Sequence, residues 1–403
     1  MTRTALLGAL LRASCALGWP LARLDAEAAD APLTGHDADL LAGWRTWEAW
    51  RGLVSEIAQP FGWRLVTAIP RGGCLTLFLA SGDASEFLQL DLHRALSARG
   101  VPFADPDRLF AAARVEDGAL RLDAQDALSV RELEHRLATG TARSAHGCVA
   151  QVHVHGAFGC LPPTWSSALA VALLRRPGQL LRLAGAKLID LAGRWLDPPG
   201  ALWALSGPDG AGKTTLAGAL GQVAPRRLAA GIRILHTRPF LWPRPSSPPP
   251  ADWQERRTGR ARSWLRWGLA WLDFRLGYWL LVRPHLAAGR LVLFDRYALD
   301  YAVAPRRRGI DLEDDVVRRL VEAVPKPLGT LVLITDPREL VRRKGETTEV
   351  EAARQVEAYR TLAGAVPNGL LLDAGDAKPE EVARRALVHL VEVMARRAGP
   401  DRP

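Results

Sequence analysis

Residues 201–221 read Ala201-Leu-Trp-Ala-Leu205-Ser-Gly207-Pro-Asp209-Gly210-Ala211-Gly212-Lys213-Thr214-Thr215-Leu-Ala-Gly-Ala-Leu-Gly221. The apolar run Ala201–Leu205 predicts a buried strand, and the stretch from Thr215 can open a helix. Between them, Gly207 to Thr214 fits the pattern G-x-x-x-x-G-K-[ST] with no mismatch. Glycines at these places let the backbone fold around a phosphate with its N–H groups pointing inward. In that arrangement Lys213 reaches the β- and γ-phosphates and Thr214 ligates Mg2+ through its hydroxyl. Gly207, Asp209, Gly210, Ala211, Gly212, Lys213, Thr214 and Thr215 are therefore the expected ATP-binding set. The alternative is a chance glycine turn, and the strand before the loop and the helix after it argue against that.

Working outward, short apolar runs alternate with helical stretches after residue 200. The runs are Ala201–Leu205, Ile232–His236, Leu291–Phe294, Leu331–Ile334 and Leu370–Leu372. That alternation predicts an α/β fold, a parallel sheet with crossover helices. An ATP-Mg site also needs a carboxylate near the metal, and Leu291-Val-Leu-Phe294-Asp295 supplies one at a strand end. Arg296 and Tyr297 follow at once. Asp295 can hold Mg2+, beside Thr214, through water or can polarise the acceptor, and Arg296 can bind the acceptor's anionic group. The alternative is an ordinary strand end with a surface Asp–Arg pair.

Asp197-Pro198-Pro199-Gly200 cannot continue a helix and reads as a linker. Upstream, Ala38–Leu41 reads as a short strand or a helix start. Trp44–Ala58 reads as helical, and Leu75–Leu79 and Phe87–Leu92 as strands. From Val130 to Leu196 the pattern is mainly helical, with a β-like interruption at Val149–Val154. The expected organisation is an α+β domain over 1–130, a helical connector over 131–198 and the P-loop domain over 199–403. A second proline-rich stretch, Pro239 to Pro250, reads as an extended loop inside the last of these.

The chain has 403 residues and a net charge of +10, carried mostly by scattered arginines. Four cysteines in a chain of this length make no disulfide framework, which suits a reducing, cytoplasmic setting. Arg12 interrupts the N-terminal apolar run, so no secretory leader is expected. The best candidate membrane segment, Leu269–Val282, contains Asp273 and Arg275 and is too short to span a bilayer. Arg256 to Trp271 interleaves Arg260, Arg262 and Arg266 with Trp264, Trp267 and Trp271. Helical spacing makes it a packed helix face rather than a nucleic-acid surface, and no nucleic-acid partner is expected.

Two further clusters stand in the first half. Asp37-Ala38-Asp39 would put both carboxylates on one strand face, and Asp91 follows in Phe87-Leu-Gln-Leu-Asp91-Leu. Together they form a second candidate Mg2+ site. The alternative is a set of surface aspartates at strand ends. His146, Cys148, His153, His155 and Cys160 match no usual zinc spacing and read as core or surface residues.

From about Ala201 to Met394 the chain resembles the thymidylate kinase family. The loop Gly207–Thr214 is similar to that family's G-x-D-G-x-G-K-[ST], acidic Asp209 included, and Arg283–Tyr297 resembles its helix, glycine turn and DRY strand. Asp336–Glu346 resembles the approach to its lid, and Asp373-Ala374 its loop near adenine. The resemblance implies ATP and Mg2+ as cofactors and Lys213, Asp295, Arg296, Arg342 and Arg343 as catalytic residues, with Lys344 beside them in the lid. It implies Arg238, Tyr297 and Arg275 on the acceptor side, and a tendency to dimerise. Departures fall on that side. His236-Thr-Arg238-Pro-Phe240 stands where the family has T-R-E-P-G, Phe274 stands where it has an arginine, and the serine after DRY is replaced near Asp300-Tyr301. Residues 20 to 125 resemble a nucleotidyltransferase of the polymerase-β type, without its glycine–serine pair. The expected reaction is phosphoryl transfer from ATP to a small acceptor, a nucleoside monophosphate such as dTMP. A sugar or nucleoside hydroxyl, with Asp295 or Asp209 as base, and nucleotide-dependent regulation without turnover are the alternatives.

Overall fold

The computed structural model describes residues 2–33, 35–98, 101–139, 177–223, 228–239, 258–344, 348–375 and 377–399. The reading at Val149–Val154, the cluster from His146 to Cys160 and the proline-rich stretch 240–250 lie outside them. The chain divides into two compact units, Met1–Leu196 with Ala398–Pro403, and Asp197–Arg397. The break falls at the Pro-Pro-Gly segment.

The second unit is built on five parallel strands. They are β10 (Ala201–Ser206), β11 (Ile232–His236), β12 (Leu291–Asp295), β13 (Gly329–Ile334) and β14 (Gly369–Asp373), in the order β11-β12-β10-β13-β14. All five apolar runs of the sequence are thus strands of one sheet. The central strand β10 is buried along its whole length, as are β12 and β13. This is why they read as unbroken apolar runs instead of alternating ones. Register places Leu205 of β10 opposite Asp295 of β12, and Asp295 opposite His236 of β11. The carboxyl ends of three strands therefore meet where the glycine loop begins.

Crossover helices cover this sheet. The helix α6 (Lys213–Val223) leaves the loop directly. The helix α7 (Arg260–Gly277) runs through a π-turn, Tyr278–Val282, into α8 (Arg283–Ala287). Trp267, Ala270 and Phe274 of α7 are buried against β12, Tyr297 and Tyr301. Trp264 stays about half exposed. The tryptophan-rich segment is thus a packed helix face along one stripe. The short helix α9 (Leu299–Val303) follows the strand end β12, then α10 (Asp314–Glu322), α11 (Pro337–Lys344), α12 (Glu349–Ala365) and α13 (Pro379–Ala398).

The first unit carries a mixed seven-stranded sheet. Its strands are β1 (Leu21–Arg23), β2 (Asp37–Ala42), β3 (Trp63–Pro70), β4 (Cys74–Ser81), β5 (Phe87–His93), β8 (Arg114–Glu116) and β9 (Ala119–Arg121), and a separate pair, β6 (Leu96–Ala98) and β7 (Val101–Ala104), precedes the short helix α3 (Pro106–Ala112). The pairs β2/β5 and β1/β9 are parallel and the others antiparallel. The N-terminal apolar run is a helix, α1 (Arg3–Ala16), whose Leu6, Leu7, Leu10 and Leu11 are buried in the same core as Trp50 of α2 (Trp47–Ala58). Arg12 leaves that core and pairs with Asp30 at 2.9 Å. Two helices of this unit, α4 (Ala124–Thr139) and α5 (Pro177–Leu196), fall within the expected connector, α4 in part. No helix among the described residues is long and apolar enough to cross a membrane.

Candidate active site

The glycine loop owes its shape to positions that only glycine fills without strain. Gly207, Gly210 and Gly212 have φ of 145°, 91° and 92°. A Cβ on Gly207 would stand 2.1 Å from the Leu333 carbonyl oxygen of β13, so the loop hugs the neighbouring strand. The loop then opens α6, whose first N–H groups and dipole favour an anion. Lys213 is buried. Its Nζ donates to the Gly207 and Pro208 carbonyls at 2.8 and 2.6 Å and stands 3.9 Å from an Asp209 oxygen.

Asp295 meets this loop from β12. The Thr214 hydroxyl donates to its Oδ2 at 3.3 Å, and His236 Nδ1 lies 3.2 Å from the same oxygen. The other oxygen, Oδ1, is buried with no hydrogen-bond partner. A buried carboxylate oxygen left unsatisfied is costly. A hard cation with oxygen ligands relieves that cost, so Thr214 and Asp295 fit Mg2+.

Arg296 comes next. Its φ of 72° is a strained, left-handed conformation for a bulky residue, of order 1–3 kcal/mol. Its N–H donates to the Leu205 carbonyl at 2.8 Å, which fixes the turn, and its guanidinium pairs with Asp209. The turn is held from beneath by Asp300. That carboxylate accepts from the Ser206 hydroxyl at 3.1 Å, the Tyr297 N–H at 2.9 Å and the Tyr359 hydroxyl at 2.7 Å. Burial, and then the nearby Asp300 charge, push the Tyr359 phenol well above its usual range, so it remains a donor.

On the other side of the loop, an open cavity of about 990 Å³ is lined by Thr335, Arg338, Glu339, Arg342, Arg343 and Asp373, among others. Arg343 donates to Glu339 at 2.7 Å and to the Gly210 carbonyl at 3.1 Å, reaching the loop. Arg342 is bonded to Glu339 at 2.7 and 2.6 Å and is mostly exposed. Hydrogen bonds from these two guanidiniums hold the Glu339 carboxyl down at about 2. The hydroxyl of Thr335 is buried without a partner beside the same cavity.

The remaining expected residues are placed differently. Tyr297 is a core residue. Its hydroxyl donates to the Pro325 carbonyl at 2.5 Å, and burial pushes its phenol up. Arg275 is exposed on α7, bonded to the Ala323 carbonyl at 3.2 Å. Arg275 is kept from the loop because the face of α7 that packs on the sheet carries Trp267, Ala270 and Phe274 instead, and the Tyr297 ring packs against Phe274 in that core. Arg238 Nε lies 3.6 Å from Oδ2 of the buried Asp273.

In the first unit, Asp39 and Asp91 are register neighbours on β2 and β5. Among the described residues no group of three or more His, Cys, Asp or Glu side chains is gathered as a metal site. The carboxylates are used locally. Gln89 donates to Asp91 at 2.6 Å, His93 lies 3.4 Å from Asp39, and the exposed Asp37 lines, with Asp39, Asp25 and Glu134, a cavity of about 320 Å³.

Sequence reasoning missed the structural part of Asp300, Ser206 and Tyr359, and the placing of His236 and Thr335. Asp300 had one signal, a carboxylate in place of a serine after DRY. The others become visible only once β10, β11, β13 and α12 are brought together.

No family model matches the chain. It is 31% identical over 217 residues to the thymidylate kinase of Xanthomonas euvesicatoria pv. vesicatoria, a match covering 51% of this chain and 90% of that protein. It is 30% identical over 217 residues to the thymidylate kinase of Xanthomonas oryzae pv. oryzae, covering 51% and 89%. A solved thymidylate kinase from Candida albicans aligns at 21% identity with a TM-score of 0.33, covering 46% of this chain and 89% of that one.

Proposed function

The chain belongs to the thymidylate kinase family, and on that premise we propose that it transfers the γ-phosphoryl group of ATP to a nucleoside monophosphate, dTMP first among them. One observation carries this reading. The Thr214 hydroxyl and the unpartnered Oδ1 of Asp295 stand together at the mouth of the Gly207–Thr214 loop, as an ATP-Mg site requires.

Each residue has a physical task. The loop N–H groups and the start of α6 receive the phosphate chain, and Lys213 exchanges the Gly207 and Pro208 carbonyls for phosphate oxygens. Thr214 and Asp295 would hold Mg2+, which would supply charge neutralisation to the phosphate chain. Arg296, beside the loop, and Arg343, bonded to it, add cations where charge accumulates during transfer. Arg342 joins them if Glu339 releases it. A phosphate acceptor is already ionised near neutral pH, so no strong base is required.

A second reading, transfer to a sugar or nucleoside hydroxyl, is favoured by one observation. The charge of Arg238 is already matched by the buried Asp273, which weakens it as a phosphate anchor. The test is ADP formation by purified full-length protein against nucleoside monophosphates, nucleosides and sugars, with Lys213→Ala as control. The expected result is Lys213-dependent turnover that is fastest with a monophosphate. ATP binding without turnover on any acceptor would sink the kinase reading in favour of a regulatory one.

A further inference from the structure

Among the described residues of the acceptor side, Arg308 is a cation that neither the motifs nor the reading above has used. Arg308 stands in the turn after α9, and its side chain borders a narrow pocket with Pro208, Asp209, Arg296, Asp300 and Tyr359. That pocket lies against the glycine loop, where a phosphoryl acceptor must approach.

The turn that presents Arg308 is fixed from several sides. The Arg308 N–H donates to the Pro305 carbonyl at 2.9 Å, and the Gly309 N–H to that of Arg306 at 2.8 Å. Gly309 closes the turn at φ 66°, a left-handed conformation suited to glycine. Arg266 of α7 donates to the Gly309 carbonyl at 3.2 Å, and the Asp311 N–H donates to the Ser263 hydroxyl at 3.0 Å. The guanidinium itself lies 5.6 Å from the Tyr301 ring centre, a cation–π contact that positions it without consuming its charge. Tyr301 in turn packs edge-on against Trp267 and Phe274.

Charge accounting around the pocket singles Arg308 out. Arg296 is paired with Asp209, and Arg238 with Asp273. Asp300 already accepts from Ser206, Tyr297 and Tyr359. Among the described residues Arg308 has no carboxylate within ion-pair distance. Its planar donors are therefore available to an incoming group, and a phosphate monoester offers the oxygens that match them.

We propose that Arg308 is the anchor for the acceptor's phosphate. The proposal rests on the phosphotransferase reading above and takes up the first of its two acceptor classes. It also explains how the site manages with Arg238 neutralised and with Phe274 facing the core.

The test is calorimetric binding to full-length protein of dTMP, dCMP and AMP, each beside its unphosphorylated nucleoside, and of ADP as a check on the donor site. Wild type should bind its best monophosphate about tenfold or more tighter than the matching nucleoside, as expected for charge-assisted bonds to a phosphate. Arg308→Gln should erase most of that preference and leave nucleoside and ADP affinities unchanged, while Arg308→Lys should keep part of it. Unchanged ADP affinity shows that the variant is folded. The proposal is overturned if Arg308→Gln binds the monophosphate as tightly as wild type, or if wild type shows no preference for the phosphorylated form. Turnover separates the two levels. An Arg308-dependent phosphate preference without ATP-dependent transfer keeps the anchor and ends the kinase reading. Transfer to an unphosphorylated nucleoside does the reverse.

Discussion

Asp295 in the second unit and Asp91 in the first both sit in apolar strands, after Leu291-Val-Leu-Phe294 in one case and within Phe87-Leu-Gln-Leu-Asp91-Leu in the other. Each has a second oxygen-bearing group nearby, Thr214 for the first and the Asp37/Asp39 pair for the second. Their surroundings differ. Asp295 ends a central parallel strand whose neighbour β10 runs straight into a glycine loop, and its Oδ1 is buried with nothing to bond. Asp91 lies within a strand of a mixed sheet, already bonded to Gln89, and its register neighbour Asp39 is turned to His93. A carboxylate becomes a metal ligand when the fold withholds its other partners, and the linear pattern does not report that.

The largest effect should come from setting these two aspartates against each other. Asp295→Asn removes the charge that complements Mg2+ and should lower Lys213-dependent ADP formation about 100-fold or more, the scale of losing one preorganised electrostatic group. Asp91→Asn should leave it within about twofold, as substitutions away from a site usually do. Both are read in one ADP-release assay at saturating Mg2+. Equal losses in the two variants would erase the distinction and return the first unit to the chemistry.

This contrast also marks what the sequence discloses. The glycine loop was legible because phosphate binding is done by consecutive backbone groups, so one contiguous segment contains the whole signal. The central strands β10, β12 and β13 are legible because burial on both faces leaves continuous apolar runs. Arg296 and Asp209 were both singled out, but their pairing depends on β10 and β12 lying side by side. The resemblance implies Arg275 and Tyr297 on the acceptor side, but α7 presents Trp267 and Phe274 to the core and leaves Arg275 outside, and the Tyr297 side chain is itself in that core. The strand β3 (Trp63–Pro70) went unread because Arg64 and Thr67 interrupt its apolar pattern, and α1 because its leucines have no polar face of clear period.

Asp300 refines the comparison as a third kind of aspartate, neither metal ligand nor local surface partner. It joins β10, the turn after β12 and α12 through three donors. Asp300→Ala would strand the buried Ser206 and Tyr359 hydroxyls and the Tyr297 N–H. The expected cost is about 3 kcal/mol in chemical denaturation of the second unit, given roughly 1–3 kcal/mol per buried group left unbonded. Asp300→Asn, which keeps one acceptor oxygen, should cost less. A loss below about 0.5 kcal/mol for Asp300→Ala would show that the turn carrying Arg296 is held by something else.

The smallest effect belongs to the first unit and asks whether Asp39 is committed to His93. Burial pulls the His93 imidazole down, but its hydrogen bonds to Asp39 and Cys74, with their charges, outweigh that and raise it to about 10. A histidine raised in the folded state contributes stability that is fully present below its unfolded value, about 6.5. That contribution is lost as pH rises through the folded value, so the window runs from about 6.5 to about 10. Asp39 is more than half exposed, so solvent screens the pair and the stability change is modest. The direct measurement is an NMR titration of the His93 ring in wild type and in Asp39→Asn. The wild-type midpoint should lie well above the ordinary histidine range and should fall when the carboxylate is removed. An unchanged midpoint would free Asp39 from His93 and reopen the question of what the exposed aspartates of β2 are for.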